Sequence, residues 1–331
     1  MQRSFDLWRS VHGDAFAGVR VLVTGGAGFI GSHLCQALAA RGARVVALDD
    51  LSGGADGDFS GIGPIEFVQG SILDDALLDR CIDGCRYVFH QAALGSVPGS
   101  VKEPVRYYDV NVTGTINVLE AARAAGVQRL MFAASASAYG SSEALLKVET
   151  MAAEPISPYA ASKVAGEAFL RAYSASYPAL DTVALRYFNI FGPRQNANSA
   201  YAAAIAAFAT AALAGKPPTI FGDGEQSRDF THVDNVVHAN LLAARSERRL
   251  GGEVINVATA TRVTVNELVA EVIGFFRNRN LQPTHAAERV GDVRHSLADI
   301  ERAKQLLGYA PIVDFRAGLA ETLEWYARQK A

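Results

Sequence analysis

Tyr159 and Lys163 stand four residues apart in Ser157-Pro158-Tyr159-Ala160-Ala161-Ser162-Lys163, a segment that reads as the first turn of a helix. That spacing places a phenol and an ammonium on one helical face. An unperturbed tyrosine has a pKa of about 10, and a neighbouring cation favours the phenolate, so the pair predicts a Tyr159 lowered toward neutrality and able to accept a proton. The chemistry this suits is proton removal from a hydroxyl, or its return to a ketone oxygen. Alone, the spacing is more often an ordinary contact on a surface helix. The elements around it must decide.

Apolar, β-branched runs alternate with helical patterns through the first 190 residues: Val19 to Thr24, Arg44 to Leu48, Ile65 to Val68, Tyr87 to Gln91, Arg129 to Ala133 and Thr182 to Arg186. Helices are expected between them at Gly31 to Arg41, Asp75 to Ile82, Val112 to Ala125 and Pro158 to Ser176. Continuous apolar strands separated by helices imply a parallel sheet covered on both faces. The expected fold is therefore α/β, a doubly wound parallel sheet of the Rossmann kind. Residues 1–190 would form the nucleotide-binding domain, with segments near 230–257 returning to it as the helix Val233 to Arg245 and the strand Val254 to Val257. Residues 191–229 and 258–331, with helices near Val265 to Arg277, Asp299 to Leu307 and Phe315 to Arg328, would form a smaller C-terminal lobe.

Half of the 331 residues are hydrophobic, a fifth are charged, and the net charge is −3. Such a balance offers no basic surface for nucleic acid and no polybasic membrane patch. No run approaches the roughly 20 apolar residues of a membrane span. The first eighteen residues carry charges among apolar positions, which suits a short amphipathic helix rather than a signal peptide. The expected location is the cytoplasm. Cys35, Cys81 and Cys85 make neither a disulfide framework nor a zinc set and read as buried thiols.

The run Val21-Leu22-Val23-Thr24 leads into Gly25, Gly28 and Gly31, giving strand, glycine turn and helix in order. Glycines let backbone approach a pyrophosphate, and the helix start at Phe29, Ile30 and Gly31 offers free amides and a positive dipole end. Asp49, closing the next strand, can hydrogen-bond the adenosine ribose and repels a 2′-phosphate. Together these predict NAD as the cofactor. Asp50 reads as a solvated loop acid.

After the strand Arg129 to Ala133 comes Ala134-Ser135-Ala136-Ser137-Ala138-Tyr139-Gly140, which sets small hydroxyls at the carboxyl end of a parallel strand, where such sheets bind ligands. With Thr24-Gly25-Gly26-Ala27-Gly28-Phe29-Ile30-Gly31, Asn111, Ser135 before Tyr139-Gly140, and Tyr159 with Lys163, the chain resembles the extended short-chain dehydrogenase/reductase family from about Val19 to its C-terminus. The resemblance implies that Tyr159 is the acid/base, that Lys163 holds the nicotinamide ribose and lowers the phenol's pKa, and that Ser135 contacts the reacting hydroxyl. It also implies that Ser71, Ile72, Gln91, Ala92, Asn111 and Phe188 join the glycine turn and Asp49 around NAD.

Dehydratases and decarboxylases of that family place acids beside the serine, whereas Ala136 and Ser137 stand here. The chain therefore looks more like a nucleotide-sugar 4-epimerase working through a transient 4-keto sugar. By the same resemblance Ser137, Asn189, Arg228, Arg289, Asp292 and Ser296 would bind a UDP-sugar, with the two arginines clamping the diphosphate. Ser296 stands where glucose-restricted epimerases carry tyrosine, which implies room for a 2-acetamido group. The implied substrates are UDP-GlcNAc and UDP-GalNAc, or their uronic-acid forms. A UDP-glucose or UDP-glucuronate 4-epimerase, another nucleotide-sugar reductase and a non-catalytic NAD sensor stay open as alternatives. A homodimer through a helix bundle is implied as well. His90 and His295 have no carboxylate cluster at ligand spacing, so no metal is expected. Ser71, Asp50 and Ala206 depart from the family's common aspartate, asparagine and proline.

Overall fold

The computed structural model describes Trp8, Phe59 and residues 10–53, 64–195, 204–277, 281–288 and 294–330. Seven strands build one sheet: β1 (Arg20–Thr24), β2 (Arg44–Asp49), β3 (Ile65–Gln69), β4 (Tyr87–His90), β5 (Arg129–Ser135), β6 (Asp181–Tyr187) and β7 (Glu253–Val257). Their order is β7-β6-β5-β4-β1-β2-β3, and every neighbouring pair is parallel. The chain runs outward from β1 through β2 to β3, then crosses back to lay β4 on the other side of β1. That reversal opens a crevice beyond the carboxyl ends of β1 and β4.

The strands are continuous apolar runs because both faces are covered. In β1, Val21 and Val23 enter one core while Leu22 enters the other, and β5 splits Met131 and Ala133 from Leu130 and Phe132 in the same way. The first face is packed by α1 (Phe29–Ala40), through Leu34 and Leu38, with Val237 and Leu241 added from further along the chain. The second is packed by α2 (Asp75–Ile82), α3 (Gly114–Ala124) and α4 (Pro158–Ser176), through Leu78, Val118 and Leu170.

A third cluster gathers Phe191, Phe208, Leu268 and Leu323 from α5 (Ala204–Leu213), α7 (Val265–Phe275), α9 (Phe315–Lys330) and their connections. Between α5 and α7 runs α6 (Val233–Arg245), the helix that supplies Val237 and Leu241 to the first face. Helix α8 (Glu301–Leu307) departs from expectation, because Ala303, Leu307 and the following Tyr309 belong to the first core rather than to the smaller cluster. Two short helices, Val97–Lys102 and Pro104–Tyr108, and a π-turn at Asp109–Thr113 precede α3, where the sequence suggested one helix from Val112. Near the start of the chain, Trp8 and Phe16 are buried in the first core. Among the described residues no helix is long and apolar enough to cross a membrane.

At the end of the sheet away from the crevice, Arg129 ties β5 to β6 and α6. Its Nε donates to Asp181 Oδ2 at 2.7 Å, and its other nitrogens donate to the carbonyls of Ala243, Ser246 and Arg248 at 2.8, 2.8 and 2.7 Å. A guanidinium thus satisfies the open carbonyls where α6 ends. Burial alone would raise the Asp181 carboxyl, but the amides of Leu250 and Gly251 and the Arg129 guanidinium outweigh it and hold the group below its ordinary range. Its contribution to stability is therefore present above the unfolded pKa of about 3.9 and is lost as pH falls through the lower folded value. Arg129→Met should cost about 3 kcal/mol by stranding Asp181 in the core. Urea unfolding measures that loss, and NAD affinity, read by calorimetry, should stay unchanged because Arg129 opens the strand that Ser135 closes.

Candidate active site

A cavity of about 490 Å3 occupies the crevice, lined from the carboxyl ends of β1, β2, β4, β5 and β6. Gly25 turns the chain out of β1 with φ +65°, and a Cβ there would stand 2.6 Å from the Ala92 nitrogen. At Gly31 a Cβ would meet the Gly25 oxygen at 1.9 Å. Bare backbone is thus what lets β1, the end of β4 and α1 close around one turn. Helix α1 begins at Phe29 behind Gly28 with no side-chain cap, which leaves its first amides for an anion.

Asp49 sits beside the glycine turn in the same cavity, its carboxylate accepting from the amides of Ala27 at 3.0 Å and Leu51 at 2.8 Å. Burial raises its pKa, with those two amides opposing. Beside it Asp50 also lines the cavity and accepts from Ser52. Uncapped amides, a glycine turn with no side chain in the way and a fixed carboxylate fit a dinucleotide whose ribose hydroxyls are unphosphorylated. Gly25, Gly28, Phe29, Ile30, Gly31, Asp49, Ser71, Ile72, Gln91 and Ala92 all line the cavity, as do Tyr159, Lys163 and Ser135.

Ser157 caps α4, its Oγ accepting from the Ala160 amide at 3.1 Å, and Pro158 opens the helix. Tyr159 and Lys163 therefore share one face of the first two turns. Lys163 donates from Nζ to the Ala133 carbonyl at 2.8 Å and lies 4.9 Å from the centre of the Phe132 ring and 6.0 Å from that of Tyr159. Ser135 closes β5, and Ser137 donates to it through both its amide, at 3.2 Å, and its hydroxyl, at 2.9 Å.

The expected lowering of the phenol is not what this geometry produces. Burial raises Tyr159, a hydrogen bond with Ser135 pulls the other way, and Tyr107 adds to the rise. The same dryness pushes the Lys163 ammonium down to about 7, with the Glu167 carboxylate opposing. A cation that burial makes easier to discharge supports the phenolate less firmly than a solvated ammonium would.

Two residues expected around the cofactor lie off the cavity lining. Asn111 is buried in the π-turn, accepting from the Leu94 amide at 2.8 Å and donating to the Leu94 carbonyl and to Ser162 Oγ. Ser162 in turn donates to the Tyr159 carbonyl, so Asn111 braces the helix that presents the phenol. Phe188 is fully buried in the first core, and its neighbour Tyr187 lines the cavity instead, with its hydroxyl held by Gln91 and Asn240. The alternation of β6 continues one residue further than the sequence pattern revealed.

Of the residues expected at a substrate, Asn189 lines the cavity and donates to the Asp229 carbonyl at 3.0 Å, while half-buried Ser137 adjoins it through Ser135. Arg228 lies on the short strand Ser227–Arg228, which pairs with Val263–Thr264, and donates to the carbonyls of Ser227 and Arg294. Ser296 joins the same segment, its amide donating to Ser227 at 3.1 Å. Neither lines the cavity. Arg289 and Asp292 lie outside the described residues. His90, held by Thr24 and Thr115, is pushed by burial to about 3 and is neutral. The donor atoms of His232, Asp234 and Glu321 approach within 4.8 Å of one another, away from the cavity. Reasoning from sequence did not single out the buried pair of Glu167 and Arg186, joined by two bonds of 2.7 Å. The signal for it was Glu167's place one helical turn beyond Lys163.

A family model described as the NAD dependent epimerase/dehydratase family matches residues 21–258. The UDP-glucose 4-epimerase of Mycolicibacterium smegmatis is 39% identical over 313 residues, which span 93% of this chain and 98% of that protein. Among solved structures, the UDP-N-acetylglucosamine 4-epimerase from Methanobrevibacter ruminantium M1, in complex with UDP-N-acetylmuramic acid, superposes with a TM-score of 0.89 at 39% identity, covering 95% of this chain and 99% of the other. The UDP-glucuronic acid 4-epimerase from Bacillus cereus, in complex with UDP-glucuronic acid and NAD, superposes with a TM-score of 0.84 at 29% identity, covering 94% and 100%.

The buried ammonium gives the cavity a pH signature. With a folded pKa of about 7 and an unfolded one near 10.4, Lys163 opposes folding fully below about pH 7, and its penalty fades as pH rises toward 10. Lys163→Met should make the cofactor-free protein more stable by about 2–4 kcal/mol at pH 6. In denaturant unfolding the advantage over the parent should shrink as the pH approaches 10.

Proposed function

The chain belongs to the NAD-dependent epimerase/dehydratase family, in the company of UDP-sugar 4-epimerases, and from that premise we propose that it interconverts UDP-N-acetylglucosamine and UDP-N-acetylgalactosamine. The observation that carries the reading is the placing of Tyr159, Lys163 and Ser135 on one cavity with the glycine turn and Asp49. NAD, when bound, supplies reversible hydride acceptance, and is regenerated in each cycle. Gly25, Gly28 and the first turn of α1 would hold its diphosphate, Asp49 its adenosine ribose, and Lys163 its other ribose. Ser135 would hold the sugar's 4-oxygen while Tyr159 takes its proton, and Tyr159 gives the proton back once the 4-keto sugar has turned its other face.

Dehydration or decarboxylation would be helped by a further acid near Ser135. Among the described residues the carboxylates lining the cavity are Asp49 and Asp50, both at the adenosine end. The chain's own Ala136 and Ser137 supply none. The one cation lining it among the described residues is Lys163, which this reading commits to the cofactor's ribose rather than to a uronate's carboxylate. Residues 191–229 and 258–331 would form the lobe for the UDP-sugar, using Asn189, Arg228, Arg289, Asp292 and, beside the 2-acetamido group, Ser296. The small serine is what supports the N-acetylated substrate. In the wider family the match to an N-acetylglucosamine epimerase points the same way.

A second copy would cover the exposed apolar positions Val101, Val105 and Tyr108, which are 64%, 71% and 58% exposed on the two short helices between β4 and α3. Apolar side chains this open, grouped on adjoining turns, suit an interface. Val105→Glu should convert a two-chain particle into a single chain in sedimentation. A parent that already sediments as one chain would end that part of the reading.

Incubation with UDP-GlcNAc, UDP-Glc and UDP-GlcA, followed by separation of the 4-epimers, tests the substrate. The N-acetylated sugar should be converted fastest, and conversion of UDP-GlcA alone would sink the proposal. Ser296→Tyr should slow the N-acetylated substrate about tenfold or more while sparing UDP-Glc; equal loss on both would remove Ser296 as the gate.

A further inference from the structure

Tyr159, Lys163 and Glu167 occupy successive turns of α4, so their side chains follow one another along a single face. Glu167 does not line the cavity, and only 7% of its side chain is exposed. It binds Arg186 of β6 with both oxygens, Nε to Oε1 and the second nitrogen to Oε2, each at 2.7 Å. The fork is itself anchored, since the guanidinium lies 4.6 Å from the centre of the Tyr139 ring, whose hydroxyl donates to Asn256 Oδ1 at 2.7 Å. A carboxylate so fixed cannot swing toward solvent. It stands one turn from an ammonium whose other neighbours are a carbonyl and two aromatic rings.

Each element packed on Lys163 contributes different groups. From α4 come the Tyr159 phenol and the Glu167 carboxylate. From β5 come the Ala133 carbonyl and the uncharged Phe132 and Ser135. From β4 comes His90, neutral through burial, and from β6 the Arg186 guanidinium already committed to Glu167. Tyr107 bears on Tyr159 from the short helix before the π-turn. Glu167 is thus the anion among them that favours a charged lysine, and Lys163 lies near 7, where a modest field decides its charge.

We propose that Glu167, locked by Arg186, is a positioning residue for proton transfer: it keeps the Lys163 ammonium charged beside Tyr159 and so sets the pH range in which the phenol can give up its proton. The inference rests on the reading of Tyr159 as the acid/base. Arg186 has the opposite electrostatic effect, because it neutralises part of the field that Glu167 casts on Lys163. Removing the two partners singly should therefore move Lys163 in opposite directions. A pair that served only to brace α4 against β6 would respond alike to loss of either member.

The chain has six lysines, so 13C labelling at the lysine ε-carbon gives a spectrum in which Lys163 is identified by its loss in Lys163→Met. Titrating the cofactor-free protein should show the Lys163 midpoint falling by about one pH unit in Glu167→Gln and rising in Arg186→Met. The alkaline limb of kcat/KM should shift the same way in each. Midpoints that stay put, or move together in both variants, overturn the proposal. Should the single variants fail to fold, Glu167→Gln with Arg186→Met removes both buried charges, a change folded proteins often tolerate. There the midpoint must still lie below that of the parent, and a midpoint at or above it overturns the proposal. A parent that binds no NAD and converts no UDP-sugar would defeat the functional reading, and the lysine titration would tell the two failures apart.

Discussion

The constraint on which the site depends is the burial of an ammonium. Lys163 is held against the Ala133 carbonyl in a pocket dry enough to bring its pKa down to about 7. A charge so placed is costly unless its surroundings are fixed, and much of the local structure does that fixing. Ser157 and Pro158 start the helix at the right residue, and Asn111 ties Ser162 to the Leu94 segment. Glu167 and Arg186 close the far side. Stability is given up locally where a phenol and an ammonium share one small volume.

The sheet supplies the place. Because β1 is flanked by β2 on one side and β4 on the other, its carboxyl end opens into a crevice, and Asp49, Ser135, Tyr159 and Lys163 reach that crevice from strand ends and the first two turns of a helix. The glycine turn makes the crevice narrow, and Asp49 closes one end of it. The other end carries Ser135 and Tyr159, with α4 crossing behind. One cavity holds both sets.

What was legible in the sequence was what is local. Strand, glycine turn, helix and Asp49 follow one another along the chain, and the Tyr159–Lys163 spacing is a property of one helix. The seven-stranded parallel sheet followed from apolar runs that had to be covered on both faces. Less legible was whatever depends on chain distance or on dryness. Phe188 and Tyr187 exchanged places because the last turn of a strand's alternation cannot be read without its neighbours. For Asn111 the sequence implies a place near the site but not its partners, Leu94 and Ser162, through which it braces the helix of Tyr159. The phenol's shift had the wrong sign because spacing reveals a cation and says nothing of burial. Helix α8 joined the larger core because Ala303 and Leu307 find their partners there, a choice its own pattern does not encode.

In the proposed reaction Tyr159 moves the proton of a UDP-sugar hydroxyl while the rest of the cavity holds the cofactor. Tyr159→Phe removes one oxygen from a half-buried side chain and leaves the rest of it in place, so calorimetry with NAD and product separation with a UDP-sugar separate the two roles. NAD affinity should stay close to that of the parent and 4-epimerisation should fall about a thousandfold. A variant that binds NAD and still epimerises at the parent's rate would contradict that role for Tyr159.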